Sequence, residues 1–161
     1  MPDTLRWRSA YLLKIESFKA MHFHTTCGEL SLKLLHATPS QNSSHPDLHV
    51  EISATVGAYS VQGVKAWLEW PDIEAFISAL RVLVLELKGE AKLIALSPED
   101  FQLEISNIDG LGHFGLNFVV GSQYQTGNGH FKCGLQAGFE VELSDLELSL
   151  RWFDAVIKPE A

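Results

Sequence analysis

Apolar residues recur along this chain at two spacings, and the spacing divides it into elements. From Asp72 to Lys88 they fall at steps of three and four: Ile73, Phe76, Ile77, Leu80, Leu83, Val84 and Leu87. Those steps place them on one face of a 3.6-residue repeat. Val82 and Leu85 widen the face, which predicts a helix over 72–88 buried on more than one side. Pro71 suits the entry, Asp72 or Glu74 complements the positive end of the helix dipole, and Lys88-Gly89 predicts the stop.

Almost everywhere else the step is two, the mark of a half-buried strand. Residues 6–18 predict a first strand whose alternation slips near Leu12, as at a bulge. Glu29–His36 alternates with Leu30, Leu32 and Leu34 on one face, and Leu48–Val56 is dry on one side and wet on the other. Between these two lies a polar turn-rich segment, 37–46. Residues 59–69 follow as a strand with Val64, Ala66 and Leu68 inward. After the helix come short strands at 91–96 and 101–105, then Phe114–Val120, a loop expected over 121–129, and the long alternation of Phe131–Val141. A second helix, about 145–157, begins at Ser144-Asp145-Leu146-Glu147, which fits a capping box, with Leu143 and Leu148 placed as a hydrophobic staple. Leu146, Leu150, Phe153 and Ile157 form its buried stripe, with Trp152 at the edge and Pro159 as the stop.

Consecutive strands with short connections pair antiparallel. The expected class is therefore α+β: one large twisted antiparallel sheet with both helices, about 72–88 and 145–157, packed against it, in a single domain over 1–161. The two halves share a strands-then-helix plan without a sequence repeat.

Charge narrows the partners. A formal net charge of −8 weighs against gripping nucleic acid through its phosphates, which takes clustered Lys and Arg. It suits a basic protein partner. No apolar run approaches the roughly 20 residues needed to span a bilayer. The first residues, MPDTLRWRSAYLLKIE, carry charges where a signal peptide has an apolar core. The expected compartment is the cytoplasm, and Cys27 and Cys133 are expected to be reduced thiols.

The candidate chemistry is sparse. Gly110-Leu111-Gly112-His113-Phe114-Gly115 has the letters of a dinucleotide-binding fingerprint, but that motif opens a helix, and here a strand pattern follows. A hairpin turn is expected instead. His22 and His24 would point to one side of a strand and could share a zinc ion, with Cys27 as a third ligand. The pattern lacks a second cluster at zinc-site spacing, and surface polarity accounts for it as well, so neither a metal nor a cofactor is assigned. His113 and His130 flank neighbouring strands, with no carboxylate or nucleophile placed beside them by spacing. Glu140, Glu142, Asp145 and Glu147 crowd the junction of the last strand and helix, and are the candidate acidic docking patch; Asp145 and Glu147 also suit a helix N-terminus. No serine elbow, HExxH or kinase-like set is present, so no catalytic residue is assigned.

Residues 72–157 resemble the WapI-type immunity proteins and related bacterial families. The likeness runs through Phe76 and Leu80, Leu87-Lys88-Gly89-Glu90-Ala91, Phe101-Gln102-Leu103, Asp109 with Gly112-His113, and Phe139-Glu140-Val141-Glu142 leading to Leu146. It covers roughly half the chain and rests on packing and turn residues. It implies a small α+β domain that neutralises a toxin of a polymorphic secretion system, and it carries no binding residue across. The expected function is thus a non-enzymatic interaction protein with a cognate protein toxin as partner. The alternative is a small-ligand or metal protein using the open sheet face at His22 and His24. A third class is a subunit that pairs with its own copy through a bare sheet edge, as a homodimer.

Overall fold

A computed structural model describes residues 20–39 and 44–157. The strand expected at 6–18, with its bulge, and the stop at Pro159 lie outside those residues. Within them the order is four strands, a helix, four strands, a helix. The strands are β1 (Ala20–His24), β2 (Gly28–Pro39), β3 (Pro46–Val56) and β4 (Tyr59–Leu68), then β5 (Glu90–Ile94), β6 (Phe101–Asn107), β7 (His113–Thr126) and β8 (Gly129–Glu142). The helices are α1 (Trp70–Glu86) and α2 (Leu143–Val156).

The α+β class, the antiparallel pairing and both helices stand as read. The strands, however, form two four-stranded sheets, β1-β2-β3-β4 and β5-β6-β7-β8, where one large sheet was expected. The reason is coverage. Eight strands at about 4.8 Å would present a face near 38 Å wide, and two helices of about 10 Å each cannot cover it. Two sheets turned face to face bury each other's oily side. Leu30, Leu32, Val50 and Ile52 from the first sheet and Leu103, Phe114, Leu116 and Phe118 from the second belong to one buried cluster, which α1 and α2 extend through Phe76 and Phe153. A backbone hydrogen bond, Leu96 N–H to the Trp67 carbonyl at 2.8 Å, joins the segment just after β5 to β4.

The helices use less of their apolar surface than expected. α1 buries Ile73, Phe76, Ile77, Leu80 and Leu83, but Val82 is 48% and Leu85 82% exposed, so only one side is covered. It ends at Leu87, which takes a left-handed conformation (φ 57°) and returns its N–H to Leu83 O; Gly89 turns the chain again just after. The cap of α2 is also displaced. Glu142 is the N-cap: its carboxylate accepts the Asp145 N–H, and the Asp145 carboxylate accepts the Glu142 N–H at 2.9 Å. The geometry is that of a capping box, two residues before the Ser144–Glu147 pair expected, because β8 runs straight into the helix. Leu148 is exposed rather than stapled, and Trp152 is buried rather than at the edge.

The strand edges also extend. The segment expected as a polar turn at 37–46 enters the ladder at both ends, with Thr38 opposite Asp47 and Pro39 opposite Pro46. Residues 121–129, expected as a loop, continue β7 and β8 through Gln123–Lys132 and Tyr124–Phe131 pairs to a tight turn at Gly127. Their polar side chains read as a loop because both faces are solvated there, yet the backbone ladder persists.

Candidate functional site

The four carboxylates singled out from the sequence do not act as one group. Glu142 and Asp145 spend their side chains on each other's backbone amides at the start of α2. Glu140 stands exposed on β8 opposite Gly115, and Glu147 is exposed on α2. What gathers around them is a corner that sequence reasoning missed, built on the β6–β7 turn.

That turn is tightly specified. Asn107 Oδ1 accepts the Gly110 N–H, and Asp109 Oδ1 accepts the Leu111 N–H at 2.8 Å. Gly110 (φ 74°) and Gly112 (φ 95°) supply the left-handed positions that such a tight return requires. The glycines of the fingerprint-like GLGHFG thus make a hairpin, as expected. The other oxygen of Asp109 lies 2.6 Å from His113 Nδ1. His113, for which spacing offered no carboxylate, therefore has one four residues upstream; the Asn-x-Asp-Gly signature was the available signal, since such side chains fold back on their own turns. β7 sets His113 opposite Glu142 and Gly115 opposite Glu140. The hydrogen bond to Asp109 holds the imidazole above its ordinary pKa, Asp109's charge adds to this, and Glu140 and Glu142 contribute less. Asp109 is lowered, first by the Leu111 N–H and then by His113.

Two large apolar side chains project from this acidic corner. Ile108 is 59% and Leu111 79% exposed, and Ile108 leans over Gly115, beside Glu140. An apolar centre with a charged rim is the anatomy of a protein-binding patch.

Two grooves lie elsewhere. The outer face of the second sheet forms a concavity of about 540 Å³ around Lys92, Gln102, Glu104, Asn117, Gln136 and Gly138. Lys92 lies between Glu90 at 3.2 Å and Glu104 at 3.8 Å, and the hydrogen bond to Glu90, with Glu104's charge, raises its pKa. Gly138 leaves room for the Asn117 amide, which a Cβ there would meet at 2.4 Å. On the first sheet, His22 and His24 share the outer face of β1, as expected, and line a groove of about 430 Å³ with Glu29, Ser31, Ser53 and Gln62. His24 Nδ1 lies 3.2 Å from Glu29. Cys27 sits in the Thr25 turn, its N–H bonded to Thr25 Oγ1. Among the described residues no three His, Cys, Asp or Glu side chains come together as a metal site. His130 lies near the β7–β8 turn opposite Gln125, and no close contact joins it to His113.

No protein-family model matches the chain, and no curated protein matches it. Among solved structures it is similar to one described as the structure of the plant transcriptional regulator PBF-2, at 12% identity and a TM-score of 0.45, over 84% of this chain and 78% of that one. At that distance the likeness does not bear on function. Among the described residues no helix is long and apolar enough to cross a membrane.

Proposed function

We propose that this chain is a non-enzymatic bacterial interaction protein that neutralises a cognate toxin, as WapI-type immunity proteins do. One observation carries the reading: the exposed pair Ile108 and Leu111 stands on a pinned turn amid Asp109, Glu140 and Glu142. Large apolar groups at the centre of a polar rim provide binding energy once water is excluded. Carboxylates around them speed encounter with a basic partner and penalise an acidic one. The rigid turn limits the entropy lost when that partner docks. The net charge of −8 acts in the same direction over a longer range.

The test is co-expression with the toxin encoded beside its gene. The chain should restore growth and co-purify with the toxin as a stable complex. Leu111→Arg should weaken that complex at least tenfold, and Glu147→Lys should slow association in low salt. A chain that neither rescues growth nor holds any genomic neighbour sinks the reading.

A second reading rests on the groove at His22 and His24. Its polar lining of Glu29, Ser31 and Ser53 would suit a small hydrogen-bonding ligand or a metal ion. Stoichiometric zinc in protein purified without added metal supports this alternative; zinc-free protein that nothing stabilises in a thermal-shift ligand screen ends it.

A further inference from the structure

The edges of the two sheets differ, and one of them matches itself. β8 is the outermost strand of its sheet, 14 residues long, paired with β7 throughout without a register break. Among the described residues, no strand and no backbone hydrogen bond covers its other side. A bare edge of this length is a template for another strand.

We propose that β8 pairs antiparallel with β8 of a second copy, about a two-fold axis through Gln136, joining two four-stranded sheets into one of eight. The strand's own sequence selects this partner and this register. With Gln136 facing its symmetry mate, Lys132 stands opposite the partner's Glu140 and His130 opposite the partner's Glu142. Gly134 meets the partner's Gly138. On the other face, Phe131 meets the partner's Val141, Cys133 the partner's Phe139 and Leu135 the partner's Ala137. Each face of the strand thus meets its own kind, and each base meets an acid. Moving the centre one residue either way loses one of the two charge matches. A half-step sets apolar against polar residues along the whole strand. Opposite charges directly across a strand pair stabilise it, and like charges oppose it.

A second feature agrees. At their far end β7 and β8 run on as a two-stranded arm, with Ser122–Thr126 and His130–Gly134 all exposed. The arm carries Tyr124 stacked on Phe131 at 5.5 Å. These rings continue the face on which Val120 is buried, yet nothing in the chain covers them among the described residues. In the symmetric pairing, residues 130–134 lie along the partner's residues 138–142. The overhang of each copy is laid against the body of the other, and the aromatic pair gains the cover it lacks. Lys132 is ion-paired with Glu99 of its own chain. Both side chains are exposed, and such a pair contributes little, so it is readily exchanged or shared.

The pairing draws on Glu140 and Glu142, which also rim the toxin-binding patch, whereas Lys132 belongs to the pairing alone. Asp109 and Leu111 lie on the β6–β7 turn and take no part in the strand pairing. The readouts, mass and amide exchange, need no toxin, and Lys132→Glu changes nothing in the toxin patch, so failure of the pairing leaves that reading untouched. Sedimentation of the full chain over a dilution series should show a species of twice the 17.9 kDa chain mass. Lys132→Glu alone, or Glu140→Lys alone, should raise the dimer dissociation constant roughly tenfold, since symmetry breaks two pairs at once. The double variant, with the charges exchanged, should return it to near the original value. A wild-type chain that stays monomeric overturns the proposal, as does a dimer indifferent to the single changes or a double variant that does not recover. Hydrogen exchange on the unaltered protein gives a check that needs no variant. Outward-facing β8 amides should become more protected as concentration rises, and protection independent of concentration would overturn the pairing.

Discussion

The two sheets have the same plan and treat their edges in opposite ways. In the first, β4 is interrupted: opposite Ser53 it inserts Gln62 and Gly63, and Ser53 Oγ accepts the Gly63 N–H at 3.1 Å. β1, at the other edge of the described strands, packs beside α2. A bulge is one of the ways proteins blunt an edge against unwanted pairing. In the second sheet β8 has no such break, and it is as long as any strand described. Among the described residues the edge at β4 is broken and the edge at β8 is not. The pairing proposed above uses the unbroken one.

That contrast can be challenged by experiment. The largest effects should come from the shared core, where the halves do not differ. Phe114→Ala and Leu32→Ala, each at a fully buried position, should cost about 3–5 and 2–5 kcal/mol respectively in chemical denaturation. Both should unfold in one transition monitored by fluorescence and circular dichroism; separate transitions would mean that each sheet keeps its own core. Next is Gly138→Ala in β8. Its Cβ would meet Asn117 Oδ1 at 2.4 Å and the Leu116 carbonyl at 2.7 Å, so the β7–β8 ladder must shift, at about 1–3 kcal/mol. Gly63→Ala probes the blunted edge. The space there is open, but φ is 68°, and the left-handed strain should cost about 1 kcal/mol. An edge thus altered that began to self-associate would show the bulge to be protective.

The smallest effect is a titration. Because Asp109 raises the pKa of His113, their pair stabilises the β6–β7 turn fully below about 6.5, the ordinary histidine value, while the carboxylate is ionised. That contribution is lost as pH rises through the raised folded value. Asp109, whose pKa is lowered, contributes above the ordinary carboxylate range, and this is lost as pH falls through its depressed value. Local protection of the turn should therefore be greatest in mildly acidic solution. Asp109→Asn should lower the His113 midpoint in an NMR titration; an unmoved midpoint would show that the contact is not made in solution.

The sequence revealed the elements better than their assembly. Period-two alternation placed Leu30, Leu32, Val50 and Ile52 on one dry face, and all four are buried. The strand pattern that follows Gly115, where a helix would be needed, distinguished the hairpin from a nucleotide loop. What alternation cannot show is which dry face meets which, so two facing sheets and one broad sheet read alike. Composition misled at 121–129, where a solvated ladder looks like a loop, and on α1, where Leu85 has an apolar side chain and no neighbour to bury it. At the candidate corner, the acids of β8 and α2 were legible, but Asp109, Ile108 and Leu111 were not. They become neighbours of Glu140 only through the β7–β8 register.

The hydrogen bond from Leu96 to Trp67 has a consequence for how the chain assembles. It closes the segment between them into a ring, with α1 as its arc and the ends of β4 and β5 as its clasp. Inside that ring the contacts between α1 and β5 are close in sequence and so entail little loop-closure entropy. A unit of this kind can form before the longer-range stacking of the two sheets, and it fixes the hand-over from one to the next. The exposed Leu96 amide should then exchange by local opening of the clasp, faster than the core amides of β3 and β6.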